Sequence, residues 1–201
     1  KSILISGAGG SIGSELCRQL LKFNPKKIIL LEQNEPRLYL IYEELKSLIK
    51  DTKVKLEPML GNASEYKLLL RVFKKNNINI IFHAAAHKHV PMVEKNPIEG
   101  LKNNILSTLT LAQISFDMNI DKFTLISSDK AVRPTSIMGA SKRVSELIIE
   151  KFSFDVSNNK NNPKYPKTVF SMVRFGNVLN SSGSVIPLFQ KQIAQGGPVT
   201  I

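Results

Sequence analysis

A hydroxyl, a carboxylate and an amine stand side by side near the middle of the chain, at Ser128, Asp129 and Lys130. An adjacent carboxylate and amine can give and take protons in turn, which is what general acid–base catalysis requires. A second amine, Lys142, lies one helical turn beyond Met138 on the same face of a predicted helix. The pattern therefore predicts a site of proton transfer around these five residues.

Residues 127–142 resemble the catalytic stretch of the short-chain dehydrogenases/reductases. In that superfamily a tyrosine four residues before the lysine moves the proton of the substrate hydroxyl. Met138 occupies this position here, and a thioether cannot carry a proton. The resemblance thus implies either an inactive site or proton chemistry that has moved to neighbours, of which Asp129 and Lys130 are the obvious ones.

Glycines with the spacing GxxGxxG follow the first apolar run, at Gly7, Gly10 and Gly13. Glycine permits a tight turn and the close approach of a pyrophosphate, and the helix that begins at Ser11 and Ile12 offers free N–H groups and its positive dipole end. The triplet alone is weak evidence, but it follows a predicted strand and opens a predicted helix. We expect it to bind a dinucleotide cofactor.

An acid, Glu32, ends the second predicted strand about 20 residues after the glycines, as in dinucleotide-binding proteins. A carboxylate there can hold both ribose hydroxyls and would repel a 2′-phosphate, which favours NAD over NADP. The alternatives are a surface charge at a strand end and, because Arg37 is near, NADP. Asn62, after the third strand, resembles the superfamily position that contacts adenine.

Three histidines lie within seven residues after the fourth apolar run, at His83, His87 and His89. Such a cluster could suggest a metal site. No cysteine or carboxylate completes a ligand set nearby, so we predict no metal.

Small residues separate these histidines and indicate backbone that passes close to a cofactor; they are Ala84, Ala85 and Ala86. Lys88 and His89 are expected to line the rim of the site and bind substrate. After the sixth run, the side chain of Asn177 and the backbone of a Ser/Gly loop suit a sugar diphosphate. We expect this loop to bind substrate through Asn177, Ser181 and Ser182, although it could be a plain loop, and Arg174 beside it could be a structural ion pair.

Six short apolar runs alternate with helical patterns, which predicts an α/β fold with a doubly wound parallel sheet. The predicted strands are Ile3–Ile5, Ile28–Leu31, Val54–Leu56, Ile78–Phe82, Phe123–Ile126 and Val169–Val173. The predicted helices are Ser11–Phe23, Glu35–Ile49, Glu65–Lys75, Pro97–Met118 and Ser136–Phe154. Residues 157–167, rich in Asn, Lys and Pro, are predicted to form an exposed loop.

The composition is that of an ordinary globular domain, with 201 residues, 42% hydrophobic and 22% charged. The net charge of +12 comes from scattered basic residues without aromatic interleaving, so we predict no nucleic-acid partner. No apolar run is long enough to span a bilayer. The single Cys17 fits a reducing compartment and a packing role, and the cytoplasm is the expected location. Both ends read as cut, so we expect a piece of a longer protein.

Four segments together resemble the polysaccharide-biosynthesis nucleotide-sugar dehydratases, in particular the UDP-N-acetylglucosamine 4,6-dehydratases: GAGGSIGSE, HAAAHKHVPMVEKNP, SSDKAVRPTSIMGASK and VRFGNVLNSSGSVIPLF. The family has a soluble form that keeps the tyrosine and inverts C5, and a membrane-anchored form with methionine that retains C5. With Met138 at this position, the chain resembles the membrane-anchored form. The resemblance implies an extended short-chain dehydrogenase fold, NAD, a UDP-sugar substrate and a homo-oligomer. It also implies a parent anchored in the inner membrane, with this domain on the cytoplasmic side and its substrate-binding region beginning at about residue 176.

The implied reaction oxidises C4 of the sugar, removes the C5 proton, expels water from C6 and returns hydride to C6. Lys130 is then the C5 base, and Asp129 is the C6 acid and the acceptor of the C4 hydroxyl proton, directly or through water. Ser128 would hydrogen-bond the 4-oxygen and Lys142 the nicotinamide ribose. An epimerase or reductase of the same fold, or a nucleotide-sugar-binding pseudoenzyme, are the alternatives. An epimerase or reductase normally needs the tyrosine. A pseudoenzyme would not need all four polar residues, which are Ser128, Asp129, Lys130 and Lys142.

Overall fold

Six strands pair in parallel in one sheet in a computed structural model, which describes residues 1–49, 53–178 and 185–199. They are β1 (Ser2–Ser6), β2 (Lys27–Glu32), β3 (Lys55–Leu60), β4 (Ile80–His83), β5 (Lys122–Ile126) and β6 (Val169–Val173). Their order in the sheet is β3-β2-β1-β4-β5-β6. Each strand overlaps a predicted run, so the doubly wound α/β class is confirmed. The order reverses between β1 and β4, which places the expected ligand crevice at their carboxyl ends.

Eight α-helices are described: α1 (Ser11–Leu21), α2 (Glu35–Leu48), α3 (Tyr66–Asn76), α4 (Val90–Lys95), α5 (Pro97–Leu101), α6 (Ser107–Asp117), α7 (Ile137–Asn158) and α8 (Val185–Ala194). Side chains start two of them: Asn34 Oδ1 accepts from the Arg37 amide at 3.0 Å before α2, and Ser136 Oγ accepts from the Gly139 amide at 3.1 Å before α7. Two of these helices were not predicted: α8, and α4, whose six residues are too few to show a helical repeat. No described helix is both long and apolar enough to cross a membrane.

Apolar side chains cover both faces of the sheet, as the unbroken apolar runs predict. On β1, Leu4 packs in one cluster with residues of α3, α6 and α7, whereas Ile3 and Ile5 pack in the other, with residues of α1 and α2. Cys17 is fully buried in the second cluster, where burial raises the pKa of its thiol to about 12. The predicted packing role of this cysteine is confirmed.

The long helix predicted over Pro97–Met118 is interrupted by a π-helical turn at Lys102–Leu106. Asn104 lies in this turn, and its backbone carbonyl accepts from the hydroxyls of Thr108 at 2.8 Å and Ser145 at 3.0 Å. Hydroxyls that bond to helix carbonyls compete with the regular backbone pattern. The single predicted helix was therefore wrong in its continuity, because a buried polar contact outweighs local periodicity here.

Candidate active site

A cleft of about 1190 Å³ opens at the carboxyl ends of the strands, where the strand order reverses. Its walls come from residues 9–14, 86–89, 126–128 and 175–178 and from parts of α4, α5 and α7. The cleft brings together most of the predicted site residues: Gly10, Ser11, Ile12, Gly13, Ala84, Ala86, Lys88, His89, Ser128, Lys130, Met138, Lys142 and Asn177. Ser181 and Ser182 lie outside the described residues.

The glycine loop is built so that backbone passes against backbone. Gly7 has a φ of +69°, and a Cβ atom there would lie 2.8 Å from Cα of Ala85. A Cβ atom on Gly13 would lie 2.0 Å from the carbonyl oxygen of Gly7. The backbones of Gly7 and Ala85 therefore pack against each other behind the cleft wall. Gly10 precedes α1, whose N-terminus has no side-chain cap and no acid in its first turn, so it suits a phosphate.

Glu32 is buried at the end of β2 and already binds the glycine loop. Its Oε2 accepts from the amide of Gly9 at 3.0 Å, and its Oε1 accepts from those of Gln33 and Asn34 at 3.0 Å each. An ionised carboxylate has about four acceptor positions. One position is thus left for a ribose hydroxyl, and the acid also sets the shape of the loop.

Asn62 does not line the cleft. Its Oδ1 accepts from both the amide and the hydroxyl of Ser64 at 2.9 Å, so the side chain builds the turn after β3. Its predicted contact with adenine stays a prediction.

His83 ends β4, as predicted, and lies in the core rather than in the cleft. Its Nδ1 is 2.7 Å from Ser6 Oγ and its Nε2 is 3.0 Å from Thr108 Oγ1. Because the Thr108 hydroxyl donates to the Asn104 carbonyl, it must accept from His83, which places the imidazole proton on Nε2. Burial, with a further contribution from Lys142, lowers the pKa of His83 to about 3.

The histidine- and alanine-rich segment after β4 is held by Asn104. The amide of His87 donates to Asn104 Oδ1 at 2.7 Å, and Asn104 Nδ2 donates to the carbonyl of His87 at 3.1 Å and to Ser141 Oγ at 2.9 Å. Burial lowers the pKa of Lys88 in this segment, and the charge of Arg37 lowers it further. No group of three or more possible metal ligands occurs in the described parts of the chain.

Asp129 and Lys130 form the turn that follows β5. Lys130 Nζ lies 3.1 Å from Asp129 Oδ1 and 3.0 Å from Asn177 Oδ1. The hydroxyl of Ser128 donates to Asp129 Oδ1 at 2.9 Å and accepts from the Lys130 amide at 3.2 Å. Hydrogen bonds from Lys130 and then Ser128 lower the pKa of Asp129. Asp129 does not itself line the cleft but contacts Lys130, which does.

The amine of Lys130 is only partly desolvated, since its side chain is 41% exposed. The strong desolvation that a neutral amine base needs is therefore not provided by these described residues alone. Bound substrate, or chain beyond them, would have to supply it.

Met138 and Lys142 lie where the predicted helix places them, one turn apart on α7 and facing the cleft. Both are buried, at 2% and 8% exposure. Lys142 Nζ donates to the carbonyl of Ile126 at 3.0 Å. Burial lowers the pKa of Lys142 to about 8, although the charge of Glu146 raises it.

Sequence analysis missed Glu146, a fully buried acid on α7. Its carboxylate accepts from Ser127 Oγ at 2.6 Å, from Arg174 Nε at 2.7 Å and from Arg143 Nη1 at 3.0 Å. Burial raises the pKa of Glu146, but the bonds from Arg174, Ser127 and Arg143 outweigh it and lower the pKa to about 2. The open interpretation of Arg174 as a structural ion pair is thereby confirmed. No local pattern marks Glu146, because two of its three partners, Ser127 and Arg174, are distant in the chain.

Parts of α4 and α5 also line the cleft and were not predicted: Met92, Val93, Asn96, Glu99 and Gly100. Glu94 ties α4 to the start of α7, because its Oε1 accepts from the Ile137 amide at 2.7 Å. The segment after β4 thus supplies one wall of the cleft as well as its rim.

The chain is similar to known proteins that are longer than it is. The profile of a family described as polysaccharide biosynthesis protein matches residues 3–201. The capsular polysaccharide biosynthesis protein CapD of Staphylococcus aureus is 47% identical over 201 residues, which is all of this chain and 32% of that protein. This chain therefore spans about a third of that relative's length.

Two further relatives have different named activities. The inverting UDP-N-acetylglucosamine 4,6-dehydratase of Campylobacter jejuni is 34% identical over 204 residues, covering all of this chain and 57% of that protein. The UDP-glucose 4-epimerase of Rickettsia rickettsii is 33% identical over 206 residues, covering all of this chain and 56% of that protein.

Proposed function

Since the chain belongs to the polysaccharide biosynthesis protein family, we propose that it forms the cofactor-binding core of a nucleotide-sugar 4,6-dehydratase. The proposed substrate is UDP-N-acetylglucosamine and the product its 4-keto-6-deoxy derivative, with C5 configuration retained. The observation that carries the proposal is the Asp129–Lys130 pair, which lies beside a cleft whose wall has Met138 where a tyrosine would serve an epimerase. The substrate-binding region would begin at about residue 176.

The cleft fits a dinucleotide. Side chains are excluded at Gly7, the N-terminus of α1 has no acid to repel a phosphate, and Glu32 keeps one acceptor position for a ribose hydroxyl. Lys142 would hold the nicotinamide ribose. Glu32 supports NAD rather than NADP, since it would repel a 2′-phosphate. When bound, NAD would accept a hydride from the sugar and return it within one turnover.

Asp129 would take the proton of the C4 hydroxyl as C4 is oxidised. The carboxyl is ionised at neutral pH, as an aspartate normally is, and can therefore accept this proton. The hydrogen bonds that lower its pKa also make it a weaker base. The 4-ketone acidifies C5, whose proton would pass to Lys130. Asp129 would next give its proton to the C6 hydroxyl, which leaves as water, and Lys130 would return its proton to C5. The substrate thus loses one water.

Lys130 takes a proton only as the neutral amine, so the reactive form of the pair carries one proton fewer than the ion pair described above. Ser128, which donates to Asp129 at rest, would hydrogen-bond the 4-oxygen of the sugar.

A second candidate is an epimerase, which the similarity to the Rickettsia enzyme favours. Epimerases of this fold normally move the C4 proton with the tyrosine that Met138 replaces. The dehydratase needs the acid and the base that the Asp129–Lys130 turn offers.

Mass spectrometry of the complete gene product incubated with UDP-N-acetylglucosamine and NAD tests the proposal. A product lighter by one water is expected, and one C5 deuteron is expected when the reaction is run in D₂O. An isomer of unchanged mass would instead establish the epimerase. Nucleotide-sugar binding without turnover would establish a pseudoenzyme.

The complete protein is further proposed to be a homo-oligomer in which this domain lies at the cytoplasmic face of the inner membrane. Exposed apolar side chains on α6 and α7, among them Leu109 and Leu147, support a contact between copies. Analytical ultracentrifugation would test it, and a monomer at micromolar concentration would contradict it.

A further inference from the structure

The buried carboxylate of Glu146 joins two strand ends. Ser127, which donates to it at 2.6 Å, directly follows β5, and Arg174, which donates to both of its oxygens at 2.7 and 2.5 Å, directly follows β6. Arg143 on α7 adds a further donor at 3.0 Å. Glu146 thereby connects β5, β6 and α7 at one buried point.

The two strand ends are also where the halves of the proposed site begin. Ser127 precedes Ser128 and the Asp129–Lys130 turn, while Arg174 precedes Phe175 and Asn177. The halves meet twice, because the Asp129 amide donates to the Phe175 carbonyl at 3.1 Å and Lys130 Nζ donates to Asn177 Oδ1 at 3.0 Å. A shift of either strand end would therefore alter the Asp129–Lys130–Asn177 contact.

We propose that Glu146 is a positioning residue, which holds the ends of β5 and β6 so that the acid, the base and Asn177 meet, and which acts on Lys142 from the next turn of α7. The inference rests on the proposed function in that it takes the Asp129–Lys130 turn as catalytic. Glu146 does not itself line the cleft, although Ser127, which donates to it, does. Its effect would pass through Ser127, Arg174 and Lys142.

A carboxylate suits this position better than a neutral group. Two partly exposed arginine side chains reach the buried carboxylate of Glu146, and a neutral side chain at residue 146 would leave their charges without this partner. Glu150, the other acid on Arg143, lies 2.9 Å from Arg143 Nη1 but is half exposed. Glu150 makes no hydrogen bond to either strand end in the described structure, although its charge acts on Arg174. It therefore offers a control, on the same helix, for the loss of a negative charge without the loss of these bonds.

Glu146 also acts on Lys142, one helical turn away. Among the described residues, three groups interact with this amine: Glu146 from α7, the neutral imidazole of His83 from β4, and the Ile126 carbonyl that accepts from it on β5. Of these only Glu146 carries a charge. Burial lowers the pKa of Lys142 to about 8 and Glu146 raises it, so a neutral side chain at residue 146 should lower the pKa of Lys142 below that value.

The test compares Glu146→Gln with Glu150→Gln in the complete gene product. Trace labelling with an amine-specific reagent between pH 6 and 11, read by peptide mass spectrometry, gives the titration of Lys142 without any turnover. Glu146→Gln is expected to move the Lys142 midpoint to lower pH, whereas Glu150→Gln leaves it in place. In turnover, Glu146→Gln should lower kcat on the order of 10²-fold, as when reacting groups shift by about 1 Å, with KM changed less than threefold.

A Lys142 midpoint that is unchanged in Glu146→Gln, or a kcat that stays within twofold of wild type, overturns the inference. If circular dichroism shows that Glu146→Gln is unfolded, Ser127→Ala decides, since it removes one donor and keeps both arginines. Its kcat should fall roughly tenfold, the effect of one hydrogen bond to a charged group, and an unchanged kcat overturns the inference. If wild type forms no dehydrated product but the Lys142 midpoint shifts as expected, the proposed function fails and the electrostatic coupling stands.

Discussion

Lys130 Nζ lies 3.0 Å from Asn177 Oδ1, although the two residues are 47 positions apart in the chain. The contact joins the turn after β5 to the loop after β6, neighbours in the sheet. Lys130 is thus held by one oxygen from its own turn, on Asp129, and by one from the next strand end. The candidate site is assembled from adjoining strand ends, and the predictions below test its parts.

Replacing Lys130 with Ala should abolish C5 exchange, because this amine is the proposed base at that carbon. We expect deuterium incorporation at C5 in D₂O to fall roughly 10²- to 10⁴-fold, the usual contribution of a general base. Lys122→Ala is the matched control, since Lys122 is exposed at the opposite end of β5. Exchange retained in Lys130→Ala would assign the C5 base to another group.

Removing the hydroxyl of Ser128 should raise the pKa of Asp129. Bonds from Lys130 and Ser128 hold that pKa below its usual value, so the loss of one bond moves it upward. The carboxylate would then be lost at a higher pH as the solution is acidified. Carbon NMR of the Asp129 carboxyl measures the shift, with Thr135→Ala, an exposed hydroxyl in the same loop, as control. A pKa that is unmoved or lower would contradict the prediction.

His83 should make the protein less stable in acid. Its pKa of about 3 in the folded state lies below the usual 6.5, so the unfolded chain binds a proton that the folded chain does not. The free energy of unfolding should therefore fall as pH drops from 6.5 towards 3, by about 1.4 kcal/mol per pH unit at most. Urea denaturation measures this slope.

In His83→Gln that slope should become shallower, because the titrating group is gone. His87→Gln, which replaces an exposed histidine, should leave the slope unchanged. Equal slopes in wild type and His83→Gln would show that other groups dominate.

Gly139→Ala should reduce both activity and stability, although helix propensity alone predicts a more stable protein. Alanine is favoured over glycine inside a helix by about 1 kcal/mol. A Cβ atom here, however, would lie 2.4 Å from the carbonyl oxygen of Lys130 and 3.2 Å from Cβ of Pro134. The catalytic turn would have to move. Urea denaturation and kcat measure the two effects, and a stabilised, fully active variant would contradict the prediction.

Met138→Leu should keep kcat within a few-fold of wild type. The swap conserves volume and polarity at a buried position, which typically costs under about 1.5 kcal/mol of stability. A thioether carries no proton, so no chemical step should be lost. A kcat that falls 10²-fold in a folded variant would show that the sulfur has a role beyond filling the cleft wall.

Local patterns were enough for most of the fold. The apolar runs predicted all six strands, and the glycines after β1 and the acid after β2 marked the cofactor end of the sheet. Three features escaped. The helix α4 is too short to show a period, and α8 was not predicted. The π-helical turn contains the Asn104 carbonyl that accepts from Thr108 and from the distant Ser145, and no local pattern reports the second of these bonds.

The sequence by itself determined which residue types stand at the strand ends, because period and spacing are properties of neighbouring residues. Only the tertiary structure decided how those residues are used. Glu32 accepts hydrogen bonds from three backbone amides, and His83 is a neutral core residue. Glu146, which no sequence pattern marks, joins Ser127 to Arg174. These contacts depend on the burial of polar groups, and a buried polar group must bond to whatever the fold brings beside it, however far away in the chain.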